Sequence, residues 1–284
     1  MCVIWGVPYY FIRIAVSELT PATLVFFRTG GAALILLPVA IARGGLRSLL
    51  PHWLPLLAFA VIEIGIPWLL LASAEERLSS SLTGLLIAAV PLVGVLISLK
   101  LGTREGFGAS GIAGLLLGVA GVAAIVGLDL HATSVPALAE VGAVAVGYAV
   151  GPAILARYLA DLPAVAVIAV SLTLCAVAYA PVAAFQLPAA VPRAGVIASV
   201  VVLAVVCTAL AFLLFFALIA EVGPVRATVI TYINPAVAAV LGVAALGERF
   251  TPGMGFGFVL VLIGSALATR RSREPVEGVE PQYS

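Results

Sequence analysis

Two charged residues sit where the sequence is otherwise apolar: Glu63 in "AVIEIGIPW" (60–68) and Arg28 in "VFFRTGGAALILLP" (25–38). Insertion scales charge roughly 2.5–3.5 kcal/mol for such a group at mid-helix. Intramembrane ionisable groups therefore tend to mark pathways, coupling sites or ion partners. Two chemistries fit. In one, Glu63 exchanges protons or holds a solute amine while Arg28 engages a carboxylate. In the other, the two form a structural pair between neighbouring helices. Glu63 lies eleven residues into its segment and Arg28 seven into the preceding antiparallel one. At about 1.5 Å per residue, those depths are close enough for an arginine side chain to bridge.

Trp5, Tyr9, Tyr148, Tyr232 and Asn234 fall at similar depth. Each is also an ordinary packing residue, although buried Tyr and Trp need partners for their polar ends. Together with Arg28 and Glu63 they form a candidate substrate-binding set: an apolar cavity with few polar contacts, the usual makeup of a small-molecule site. Pro91 and Pro235 each free a carbonyl one turn earlier, so both are expected helix breaks. Such a break either offers backbone ligands or is a plain kink.

The elements that must hold these groups follow from composition. Of 284 residues, 63% are hydrophobic and only 10% charged, with mean hydropathy +1.26. Soluble domains average roughly 25% charged residues, so a water-soluble core is excluded. A net charge of +1 leaves no basic stripe for nucleic acid. Cys2, Cys175 and Cys207 are isolated, with neither CxxC spacing nor a paired framework. His52 and His131 fall at opposite membrane faces, which argues against a metal site. No nucleotide-binding motif appears, and no cofactor is expected. There is no basic n-region or convincing cleavage pattern of a signal peptide. The first apolar segment is short for a span, so a few residues are expected ahead of Met1.

Apolar runs bounded by charges, Pro and Gly mark ten segments: 1–17, 21–42, 53–74, 79–100, 108–128, 135–158, 163–185, 194–220, 224–246 and 253–270. Most are long enough to cross about 30 Å of hydrocarbon as helices. The alternating pattern of a membrane β-barrel is absent. With the N-terminus cytoplasmic, nine Lys and Arg lie inside and four outside, Arg28 being within a span. The positive-inside rule then puts both termini in the cytoplasm. Trp53 and Trp68 are read as anchors near the two interfaces. Residues 272–284 read as a disordered cytoplasmic tail.

The halves resemble each other. Pro8, Arg13 and Pro91 recur as Pro152, Arg157 and Pro235, each 144 residues later. Glu105, Gly114 and Gly121 recur 143 residues later as Glu248, Gly257 and Gly264. Glu63 has its counterpart near Thr208. With five segments per half, the second copy enters the membrane inverted, an arrangement suited to alternating access. Gly114-xxx-Gly118 and Gly253-xxx-Gly257 permit close helix approach, between the halves or between two copies of the chain.

The stretches "LSSSLTGLLIAAVPLVGVLISLKLG" and "VRATVITYINPAVAAVLGVAALGERFTPGMGFGFVLVLIGSAL" resemble the paired EamA domains of the drug/metabolite transporter superfamily. "WGVPYYFIRIA" looks like that family's first helix, and the segment holding Arg28 like its second. The first copy departs from the pattern at Leu101-Gly102-Thr103-Arg104-Glu105, two residues longer before its Glu. The resemblance implies an all-α integral membrane protein of ten transmembrane helices in two inverted five-helix repeats, 1–130 and 131–271. It further implies efflux or exchange of a small organic metabolite, with no enzymatic activity. The Arg28 and Glu63 pair would suit an amino-acid-like solute, and Glu63 is the candidate for proton coupling. Expected partners are the small-molecule substrate and the lipids of the cytoplasmic membrane, with no nucleic acid, and the chain is a monomer or homodimer. An integral-membrane enzyme acting on a small or lipidic substrate is the alternative.

Overall fold

The computed structural model describes residues 1–100, 108–127, 134–222 and 232–269. All regular structure among them is helical. Eight helices are long and apolar enough to cross a membrane: α2 (Pro21–Arg43), α3 (Leu46–Glu75), α4 (Ser80–Lys100), α5 (Ala109–Val126), α6 (Val135–Tyr158), α7 (Ala164–Phe185), α8 (Ala194–Val222) and α10 (Pro252–Thr269). Two shorter apolar helices, α1 (Cys2–Ala15) and α9 (Asn234–Leu246), complete the described set. Glu105, His131 and the tail lie outside the described residues. One boundary differs from the sequence expectation. The third segment begins at Leu46, because a 3₁₀ stretch over Leu46–His52 accommodates Pro51 and runs straight into helix at Trp53.

Large apolar side chains face outward along the bundle, among them Leu34, Leu116, Val177 and Phe256, each at least 65% exposed. Water would not tolerate so continuous an apolar surface; lipid does. Polar side chains are drawn inward instead, and Thr23, Thr29, Ser80, Ser81, Thr83 and Thr208 are fully buried.

Helices pair across the two halves. The contacts join α5 to α10, α2 to α7, α4 to α9, α3 to α6 and α1 to α8. Exchanging the halves leaves this set of pairings unchanged. The tightest seam is α5 against α10. A Cβ placed on Gly121 would meet the Gly257 carbonyl at 2.7 Å, and one on Gly257 would meet the Gly121 carbonyl at 2.5 Å. Only glycine lets the backbones come so close, so these glycines join the two halves.

Two further features recur at a fixed spacing. Helix α3 loosens into a π-helical bulge over Ala60–Gly65, and α8 does so over Val205–Leu210, 145 residues later. Helix α4 pauses in a turn at Ala88–Ala89, just before Pro91, while α9 begins at Asn234–Pro235 after a turn at 232–233. Those breaks are 144 residues apart.

A crosslink of another kind ties α9 to α4. Gly247, at φ +67°, ends α9 in the left-handed region, where glycine carries no steric penalty. The chain thereby turns Glu248 toward the start of α4. Its carboxylate accepts from Ser80 N and Ser81 N, both at 2.8 Å, and from Ser81 Oγ at 2.5 Å. Those amides have no partner within their own helix, so Glu248 acts as an N-terminal cap supplied by the other half.

Candidate functional site

The bulge in α3 has a covalent cause. Pro67 has no N–H to give the carbonyl of Glu63, so the preceding turn cannot close normally. The carbonyls it loosens are claimed from α7: Cys175 Sγ donates to Ala60 O at 3.3 Å, and Tyr179 OH donates to Gly65 O at 3.0 Å. The side chain in the middle of the bulge, Glu63, packs on Gly151 of α6. Its Oε2 is buried without a hydrogen-bond partner.

In α8 there is no proline, and the bulge is held from within. Thr208 donates its hydroxyl to Leu203 O, five residues back, at 2.8 Å. The same oxygen accepts from Arg28 Nε at 3.0 Å. Thr208 therefore fixes the guanidinium of Arg28 from a helix 180 residues away. Trp68 supplies the second constraint, its ring centroid 3.7 Å from Arg28 Cζ. A cation over an indole face at this distance is attracted by the ring quadrupole.

Arg28 thus differs from one sequence expectation: its partners are Thr208 and Trp68, and Glu63 is not among them. The two ion pairs among the described residues are Arg77–Glu140 and Arg193–Glu18. Arg28 is 7% exposed, with no carboxylate paired to it. Trp68 is equally a correction. It is buried rather than sited at an interface, because it lies on the inner face of α3 just past the bulge, where Arg28 covers it.

The other named residues are distributed around this centre. Tyr9 and Tyr148 lie within electrostatic reach of Arg28, and Tyr148 also of Glu63. Trp5 meets Phe212 and Phe215 of α8, centroids 5.9 and 4.7 Å apart. Tyr232 is half-buried in the turn before α9. Asn234 opens α9, and its backbone carbonyl lies against Gly6 of α1. Sequence reasoning passed over Trp68 as an Arg28 partner and counted Glu75 outside its span. The apolar run gives no signal of which way a side chain points. The position of Thr208, by contrast, follows from the repeat spacing.

A cavity of about 610 Å³ opens at one end of the bundle, lined by Arg13, Arg77, Leu78, Arg193 and Glu248 among others. Both ion pairs sit at this end, and each joins the first half to the second: Arg77 Nη2 to Glu140 Oε2 at 2.5 Å, and Arg193 to Glu18. The Arg193 side-chain and backbone hydrogen bonds hold the exposed Glu18 carboxyl below the usual range.

A model of the EamA-like transporter family matches residues 1–127 and again residues 140–270. Among solved structures, one crystal structure of a protein superposes with a TM-score of 0.68, covering 94% of each chain at 23% identity; at that identity the likeness is one of fold. No curated protein matches the chain.

Proposed function

The chain belongs to the EamA-like transporter family, and from that premise we propose that it exports or exchanges a small, amino-acid-like metabolite by alternating access. Family members are membrane transporters of small molecules. Ten helices stand as two inverted five-helix repeats, 1–130 and 131–271, in the cytoplasmic membrane with both termini inside. The pairing of helices across the halves and the closely similar spacing of the two bulges and the two breaks support that arrangement.

The observation that carries the reading is Arg28. Its guanidinium is buried, oriented by one hydrogen bond and one ring, and paired with no carboxylate. A cation taken out of water needs compensation, and an anionic group on the solute supplies it. Tyr9 and Tyr148 border the same space, while Glu63 offers a carboxylate for the solute's amine. Trp5, Tyr232 and Asn234 extend the binding set, and Pro91 and Pro235 mark the breaks about which the helices flex.

Counterflow of labelled zwitterionic amino acids in proteoliposomes tests this. Losing a hydrogen-bonded charge contact of roughly 2 kcal/mol lowers affinity about 30-fold, so Arg28→Gln should cut counterflow by that order. An unchanged rate removes the site. Chemical conversion of the label without movement would favour a membrane enzyme instead.

A further inference from the structure

Glu75, the last residue of α3, has no accessible surface. Neither of its carboxylate oxygens has a hydrogen-bond partner. That is an unusual condition for a carboxylate. An ionised group buried without donors costs many kcal/mol, and in practice it takes up a proton instead.

The charged neighbours divide, with Glu248 disfavouring a second carboxylate and Arg13 and Arg28 offsetting part of that. From α1, Arg13 donates to the backbone carbonyl of Glu75 rather than to its carboxylate. Tyr9 of α1, Arg28 of α2 and Tyr148 of α6 lie within electrostatic reach. So does Glu248 beyond α9. The Glu248 carboxylate accepts from three donors, and a second negative charge beside it is unfavourable. The remaining charges nearby, Arg77 and Glu140, are spent on each other, and Glu76 lies on the exposed side of the same turn.

Glu75 also lies next to a route to water. Arg13, Leu78 and Glu248 line the cavity at this end of the bundle. Leu78 N bonds to Ala74 O at 2.8 Å, one turn from Glu75. Arg13 therefore touches both the Glu75 backbone and the cavity.

We propose that Glu75 is a proton-binding site of the transport cycle, protonated in this conformation and deprotonated toward the cavity when the helices rearrange. The O–H bond of the acid breaks, the proton passes to cavity water, and the carboxylate left behind is compensated by Arg13 turning from the backbone carbonyl to the side chain. The coupling rests on the transporter reading above; the bound proton does not. Glu63 lies within the π-bulge, with the α-helical segment Ile66–Glu75 following it, so the two carboxyls are separable by mutation.

Infrared spectroscopy of the full-length protein reads the proton directly. The wild type should show the carbonyl stretch of a protonated acid at neutral pH, shifted in D₂O and fading as pH rises. Glu63 also has a buried, unpartnered oxygen, so Glu63→Gln should remove part of the band and adding Glu75→Gln should remove the remainder. In proteoliposomes, Glu75→Gln should keep counterflow but lose stimulation by a proton gradient. A remainder that survives in the Glu63→Gln, Glu75→Gln double variant overturns the site, and gradient stimulation that survives Glu75→Gln overturns the coupling. If Glu75→Gln folds poorly, Glu75→Leu, which needs no proton, provides the same spectral subtraction. Should the wild type move no solute, the transporter reading fails while the band still reports on Glu75.

Discussion

The two bulges, at Ala60–Gly65 and Val205–Leu210, stand at the same place in their respective halves and are stabilised in opposite ways. In α8 a threonine inside the bulge closes the loosened carbonyl and then holds Arg28. In α3 a neighbouring helix closes the carbonyls through Cys175 and Tyr179, which leaves the central side chain, Glu63, free of structural duty. Duplication kept the backbone irregularity and let its chemistry diverge. One copy became a clamp for a cation and the other a carboxylate with an unclaimed oxygen. π-Bulges are frequent at functional sites, and here Tyr148 lies within electrostatic reach both of Glu63 in one bulge and of Arg28, which the other holds.

Changes that act on one bulge at a time test this difference. Thr208→Val is the most severe, since it removes both the Arg28 contact and the partner of Leu203 O. Unsatisfied groups of that kind cost about 2–4 kcal/mol together, visible as a lowered thermal midpoint in detergent and as a loss of counterflow. Wild-type behaviour in both would dissolve the claim that Thr208 organises Arg28. Gly151→Ala comes next. Its methyl group has no room beside Glu63, and overpacking of this sort costs about 1–3 kcal/mol. Solute affinity should fall and the pH profile of transport should shift, whereas Thr208→Val leaves that profile's shape alone. Tyr179→Phe is the mildest, leaving Gly65 O without its donor at a cost of about 1 kcal/mol. The thermal midpoint should drop slightly with transport retained; a loss of transport would mean that this bulge, too, orients its functional group from outside.

Much of the scaffold was legible beforehand for a simple reason. Hydropathy reports depth in the membrane, and the 144-residue spacing aligns depths between halves, so Glu63 and Thr208 could be matched without coordinates. Azimuth is different. A helix apolar all round carries no stripe to say which face is inward, and Trp68 was accordingly assigned to an interface rather than to Arg28. The third segment was likewise ended at residue 74, one short of the buried Glu75. Arg28 and Thr208 are 180 residues apart, and neither local pattern nor spacing predicts that contact. The glycine seam was readable because small residues at four-residue spacing announce close approach on one face only.

The cap that Glu248 places on α4 has an implication for how the chain is made. The serine amides at residues 80 and 81 wait through some 168 residues of synthesis before their acceptor leaves the ribosome. Until then the front turn of α4 is held by Ser79 alone, through its bond to Leu82 N at 3.1 Å. Biogenesis thus includes a late latch: the residue that follows the end of α9 completes a helix inserted long before it, and a chain stopped ahead of Gly247 would leave that early helix frayed at its entrance.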